Sequence, residues 1–196
     1  MELKPVYPVR TSRLRLRPVG PADLDAVLAY RGRADVCRYL PFAPMTADGL
    51  RTRLTTDLAR HELTDEGQAM TLGVELAGSG VLVGDVVLFF RSVEHRSGEL
   101  GYVFAPEHAG QGYATEAAAA VLELAFAGLG LHRVMARLEA RNASSARLAV
   151  RLGMRQEAHF VRNERFKGEW SDELVFALLA EEWSASPWNA RVRSWT

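Results

Sequence analysis

Polar and apolar positions change period several times along the chain, and each change marks an element. Residues 13–19, RLRLRPV, alternate basic with apolar as a half-buried strand does, with Pro18 at an edge or an end. From Pro21 the spacing of Leu24, Val27, Leu28 and Arg31 is helical, and Gly32 closes the helix. Residues 36–40 fit a short turn before Pro41 and Pro44. Thr46 then caps a second helix that should reach about His61, with Leu50, Leu54 and Leu58 on its apolar face. Period two returns at 69–76 and 81–93, around a turn at 77–80. It recurs at 98–104, GELGYVF, with Leu100, Tyr102 and Phe104 on one side and Glu99, Gly101 and Val103 on the other.

Past Pro106 a long apolar helix begins at Tyr113, carries Ala114, Ala117, Ala118, Val121, Leu122 and Ala125 on one face, and ends near Gly128 and Gly130. Residues 133–139 alternate again, so strand, helix and strand form a unit whose two strands should be parallel. Asn142 caps a further helix, NASSARLAVRLGM, with Ser145, Leu148, Ala149 and Leu152 on one face and Gly153 as its stop. Residues 156–166 and 169–179 make a terminal hairpin around Lys167 and Gly168. A meander joined to a strand, helix, strand unit predicts one α+β domain over residues 1–183. A polar tail follows at 184–196, interrupted by Trp188 and Trp195.

Composition narrows the function classes. Of 196 residues, 24 are basic and 24 acidic, so no global field draws in nucleic acid or an anionic membrane, and no basic stretch with interleaved aromatics is present. Cys37 is the single cysteine, which excludes an internal disulfide and a cysteine metal cluster and fits a reducing compartment. The first residues, MELKPVYPVR, lack the apolar core of a signal peptide, and the run at 117–122 is too short to span a bilayer. The expectation is a cytoplasmic protein with neither nucleic-acid nor membrane partner and no bound metal.

The stretch with most chemical content is HAGQGYATEA at 108–117, where a glycine-containing loop runs into the long helix. Gly110 and Gly112 let the backbone approach a ligand, and a helix's first turn offers unpartnered N–H groups and partial positive charge. An anion such as phosphate fits there. A nucleotide P-loop needs Lys and then Ser or Thr after its last glycine, whereas Tyr113 and Ala114 follow Gly112. A dinucleotide fingerprint needs Gly or Ala where Thr115 stands. Gly-x-Gly-x-Ala opening a helix after an apolar strand suits the pyrophosphate of coenzyme A, held by backbone amides.

At these residues the sequence resembles the GNAT superfamily of N-acetyltransferases, and within it the RimJ/RimL-like branch. The likeness covers about residues 11–183 through four segments in order: TSRLRLRPVGPADLDAV, GELGYVFAPEHAGQGYATEA, NASSARLAVRLGM and FKGEWSDELVFALL. Ala109 stands where the family's loop usually has Arg or Gln, which removes one side-chain contact to phosphate. The resemblance implies a mixed, largely antiparallel central sheet flanked by helices, with a coenzyme A slot between two splayed parallel strands. It implies acetyl-CoA as co-substrate and direct transfer to a primary amine. It places the pantetheine arm along Val103, Phe104 and Ala105, the pyrophosphate on Gly110, Gln111, Gly112, Tyr113, Ala114 and Thr115, and the Asn142 helix, with Ser145, beside the thiol. The branch points to a protein N-terminal α-amino group as acceptor and to a homodimer. Amino acids, polyamines and antibiotics stay open as acceptors. So do succinyl-CoA as donor and a coenzyme A-binding regulatory module without turnover.

Acyl transfer to an amine needs a base for the amine and a proton for the departing thiolate. Glu99 is the first candidate base, its strand neighbours being an apolar setting that would raise its pKa; the alternative is a strand-end carboxylate in solvent or paired with an arginine. His108, with a reference pKa of ~6.5, is the rival. Ser145 and Tyr102 are candidates to protonate or bond the thiolate. Asn142 is an N-cap that also touches the cofactor amide. Cys37 reads as a small core residue and Asp172 as a structural partner in the hairpin, while Trp170, Phe42 and Tyr39 are candidates to line the acceptor site.

Overall fold

Every period-two run above is a strand in the structure, a computed structural model that describes residues 1–195. In chain order the elements begin with β1 (Val9–Arg10), β2 (Leu14–Pro18), α1 (Leu24–Arg31), α2 (Ala34–Cys37) and α3 (Ala47–Arg53). The meander β3 (Ala69–Leu76), β4 (Leu82–Ser92) and β5 (Ser97–Phe104) follows, then α4 (Tyr113–Glu123), β6 (Arg133–Glu139) and α5 (Ala143–Arg151). The chain closes with β7 (Arg155–Phe166), β8 (Glu169–Leu179), α6 (Ala180–Ala185) and α7 (Pro187–Arg193). The strands make one eight-stranded sheet in the order β1-β2-β3-β4-β5-β6-β8-β7. All neighbours run antiparallel except β5 and β6, which are parallel as the strand, helix, strand pattern requires.

Alternation along β5 sorts the core into two layers. Leu100 faces the layer built by α4 and α5, where Ala117, Val121, Leu122, Leu148 and Leu152 pack. Val103 faces the other, under α1 and α3, with Val27, Tyr30, Leu50 and Leu54. The small side chains of α4 explain its place: Ala117 to Ala120 are buried, so this helix lies close against the sheet.

One helix is shorter than its pattern predicts. α3 ends at Arg53 instead of reaching about His61, although Leu54 and Leu58 stay buried. The cause is chemical: the hydroxyls of Thr55 and Thr56 both donate to the Thr52 carbonyl, at 2.8 and 3.0 Å, and compete with the i→i−4 ladder. At the other end Thr46 caps as expected, accepting from the Gly49 N–H.

The residues after Trp183 pack on the domain. Trp183 is buried, stacks on Phe126 with ring centroids 6.0 Å apart, and donates from Nε1 to Glu123 at 2.7 Å. Asn189 donates to the same carboxylate, and Trp188 Nε1 donates to the Arg151 carbonyl, so α7 bridges α4 and α5. Among the described residues no helix is long and apolar enough to cross a membrane, and no group of His, Cys, Asp and Glu is placed to hold a metal ion.

Candidate active site

The parallel pair parts almost at once. β5 and β6 pair only at Ser97 with Arg133, Gly98 with Val134 and Glu99 with Met135, whereas β6 pairs with β8 along its whole length. From Leu100 to Phe104 the edge of β5 that faces β6 therefore has no ladder, which leaves backbone polar groups in need of another partner. α4 begins beyond the end of β5 and α5 just beyond the end of β6. Two helix N-termini thus stand at the mouth of the slot, where anions and carbonyl oxygens are favoured.

The glycine loop forms the first of these N-termini. Gly112 is the N-cap, with φ +80°, and Gly110 has φ +77°, both in the left-handed region that favours glycine. The first ladder bond in α4 runs from the Glu116 N–H to the Gly112 carbonyl, so the N–H groups of Tyr113, Ala114 and Thr115 have no carbonyl of their own helix to reach. The loop is fastened from the N-terminal strand. Glu116 accepts from the Thr11 hydroxyl at 2.6 Å, the Ser12 hydroxyl at 3.0 Å, and the Arg13 backbone N–H and Nε at 2.9 and 2.8 Å. Burial pushes the Glu116 carboxyl up, yet these donors outweigh it and hold it below the usual range. Arg13 also donates to the Gln111 carbonyl at 3.0 Å and lies over the Tyr113 ring. A cavity of about 460 Å³ opens beside Gly112 and Thr115, and Arg13, Arg151, Arg191 and Trp188 line it.

A second cavity, of about 640 Å³, lies where the strands part. It brings Glu99, Tyr102, Val103, Asn142 and Ser145 together with Tyr39 and Phe42. Tyr102 donates its hydroxyl to the Ser145 carbonyl at 3.1 Å, and burial pushes its pKa up to about 12, so the phenol keeps its proton throughout the neutral range. Asn142 accepts from the Ser145 N–H at 3.2 Å and so caps α5 as the pattern predicts. The Ser145 hydroxyl is half-buried at the cavity wall beside the Tyr102 phenol.

Several expectations need correction, while those for Cys37 and Asp172 hold. Glu99 does not sit in an apolar setting: Arg91 donates to its carboxylate, Nε at 3.0 Å and Nη2 at 2.9 Å, from the neighbouring strand. Trp170 is 62% exposed on the terminal hairpin under the Arg165 guanidinium and does not line the cavity. Ala105 continues the ladder to β4, its N–H donating to the Val83 carbonyl, and its own carbonyl accepts from the His108 N–H. His108 stands in the turn after Pro106 and does not line the cavity that holds Glu99. Cys37 is fully buried, and burial pushes its thiol up, which suits an inert core residue. Asp172 accepts from His159 Nε2 at 2.8 Å and from the Arg162 N–H at 2.9 Å, pinning the irregular middle of β7 to β8.

The charged framework around the cavity goes beyond the sequence reading. Arg31 donates to buried Asp85 through Nε at 2.8 Å and Nη2 at 2.6 Å, and Tyr30 adds its hydroxyl at 2.7 Å. Burial opposes the Arg31 charge, but the Asp85 carboxylate outweighs it and the guanidinium stays charged. Arg31 then lies under the Phe42 ring at 5.3 Å, so this pair props one aromatic of the cavity. The available signal was Asp85 itself, a lone acid inside the apolar run VLVGDVVLFF.

Comparison with known proteins places these features in company. A family model described as "Acetyltransferase (GNAT) domain" matches residues 13–155. The uncharacterized N-acetyltransferase YnaD of Bacillus subtilis is 32% identical over 176 residues, 90% of this chain and 99% of YnaD. The crystal structure of a GNAT-family acetyltransferase from Bacillus anthracis superposes with a TM-score of 0.80 at 32% identity, covering 89% of this chain and 99% of the other. A spermidine N-acetyltransferase from Vibrio cholerae, solved in complex with CoA and spermine, has the same fold, with a TM-score of 0.76 at 24% identity over 89% and 99% of the two chains.

Proposed function

This chain belongs to the GNAT family of acetyltransferases, and from that premise we propose that it transfers the acetyl group of acetyl-CoA directly to a primary amine, with the slot between β5 and β6 as its reaction centre. The observation that carries the reading is one cavity, at the parting of the strands, that gathers Glu99, Tyr102, Asn142 and Ser145 from β5 and the start of α5, with the glycine loop following β5 in the chain. The residues fit the donor. The open edge of 100–104 offers amide-matching groups, the loop N–H groups offer an anion cradle, and the arginine-lined cavity beside Gly112 suits further phosphate charge. Acetyl-CoA supplies an activated thioester when bound.

In this reading Glu99, held by Arg91, takes the proton of the attacking amine directly or through a water. Tyr102 keeps a proton that it can give to the departing thiolate, and the Ser145 hydroxyl is the second donor in reach of the same cavity. A protein N-terminal α-amino group, as in the RimJ/RimL-like branch, is the acceptor first expected. Exposed Phe160, Val161 and Trp170 on the terminal hairpin support a homodimer.

Thiol release followed by mass spectrometry across amines and peptide N-termini, with acetyl-CoA and succinyl-CoA side by side, tests the reading. Acetylated product from acetyl-CoA is expected; thioester binding without release for any amine would mark a regulatory module instead. Glu99→Gln should lower kcat/KM most between acid and neutral pH, where the amine arrives protonated, and least where it is already free. An unchanged pH profile removes Glu99 from the mechanism.

A further inference from the structure

Five arginines line the reaction cavity and only two carboxylates, Asp57 and Glu99, do. The imbalance does not vanish when partners are assigned. Arg91 is bound to Glu99 and Arg53 to Asp57, at 2.9 and 2.6 Å, so those charges cancel at the wall. Arg31 and Arg137 are matched by Asp85 and Glu173, but both carboxylates are buried at 2% and 5% side-chain exposure, while the Arg137 side chain stays 48% exposed. Arg60 is the remaining one. It is exposed, and among the described residues no carboxylate, carbonyl or ring meets its guanidinium.

Resting on the acetyltransferase reading, we infer that the acceptor is a small amine carrying a carboxylate, and that Arg60 is the residue that selects it. A guanidinium presents a planar fork that matches a carboxylate's two oxygens, and a cavity whose wall is net cationic attracts that group while repelling a polycation. Acceptor and pantetheine arm share about 640 Å³, which suits an amino-acid-sized molecule. The same carboxylate chemistry could reside on the donor, as in a succinyl thioester. The assignment to the acceptor follows from acetyl-CoA being the family's donor.

The test compares matched amines with the wild-type enzyme and acetyl-CoA: an amino acid, its carboxamide, a short peptide with an acidic second residue, and a diamine without a carboxylate. It is run at a pH where every amine is partly neutral. The amino acid should exceed its carboxamide and the diamine by about tenfold or more in kcat/KM, the size of one charge-assisted contact. Arg60→Ala should raise KM for the amino acid about tenfold and erase its advantage over the carboxamide, with KM for acetyl-CoA unchanged. Equal use of the carboxamide or the diamine would overturn the inference. So would preference for the acidic peptide over the free amino acid, or faster turnover with succinyl-CoA on an uncharged amine that is lost in Arg60→Ala. Failure to bind acetyl-CoA at all, read by calorimetry, would instead sink the parent reading and this inference with it.

Discussion

Replacing Gly112 with valine is expected to weaken acetyl-CoA binding by about tenfold or more while leaving the sheet intact. Two effects act together. Gly112 has φ +80°, where a β-branched residue is strained by about 1–3 kcal/mol, and one factor of ten in affinity corresponds to about 1.4 kcal/mol. The chain relieves that strain by turning the peptide, which moves the N–H groups of Tyr113, Ala114 and Thr115 away from a common point. A Cβ at this position would stand 3.5 Å from the Arg13 guanidinium, an ordinary contact, so backbone strain and not a clash carries the effect. Isothermal calorimetry with coenzyme A, beside circular dichroism to show a folded chain, checks this. Undiminished affinity in a folded variant would remove the loop from phosphate binding.

The largest stability effect should come from Asp85→Ala. It leaves Arg31 as an uncompensated buried cation and removes the acceptor of the Tyr30 hydroxyl, and breaking a buried pair on one side costs about 3–5 kcal/mol. For a chain of this size that lowers Tm by roughly 6–20 °C. Activity should fall with it, because Arg31 supports Phe42 at the cavity. Thermal unfolding of Asp85→Ala and of the double variant Arg31→Met, Asp85→Leu separates the causes. The double variant should recover much of the loss, since no charge is then left without a partner. A shift of less than about 2 °C in the single variant would mean that water reaches the pair.

What the chain revealed in advance follows from what periodicity measures. Alternation reports which face a residue takes, so β5, β6 and the parallel unit were legible from GELGYVF and RVMARLE. It says nothing about neighbours, so the separation of β5 from β6 after Glu99 could enter only through family likeness. Glycines at the α4 N-terminus and Asn142 at that of α5 advertised their turns because few residues can do what they do there. The setting of Glu99 was misread because Arg91 lies eight residues away along the chain but reaches it diagonally across the β4 and β5 ladder, two positions past its register partner Phe89. Trp170 was misplaced for a related reason: an aromatic in a hairpin has no periodic mark of which side the hairpin finally turns to solvent.

The brief pairing of β5 with β6 divides the sheet, though not the core, into two leaves: their backbones join at a short seam, while α4, α5 and α7 pack across it in one apolar interior. On the proposed function, reactants meet at that seam. The α4 loop comes from the first leaf, α5 from the second, and the wall bearing Arg60 and Phe42 from segments that precede both. With the donor held by the α4 loop and the acceptor by the earlier wall, as proposed, changes of acceptor would accumulate in the early segments without disturbing the donor's handle, and the architecture would be readily retuned from one amine to another.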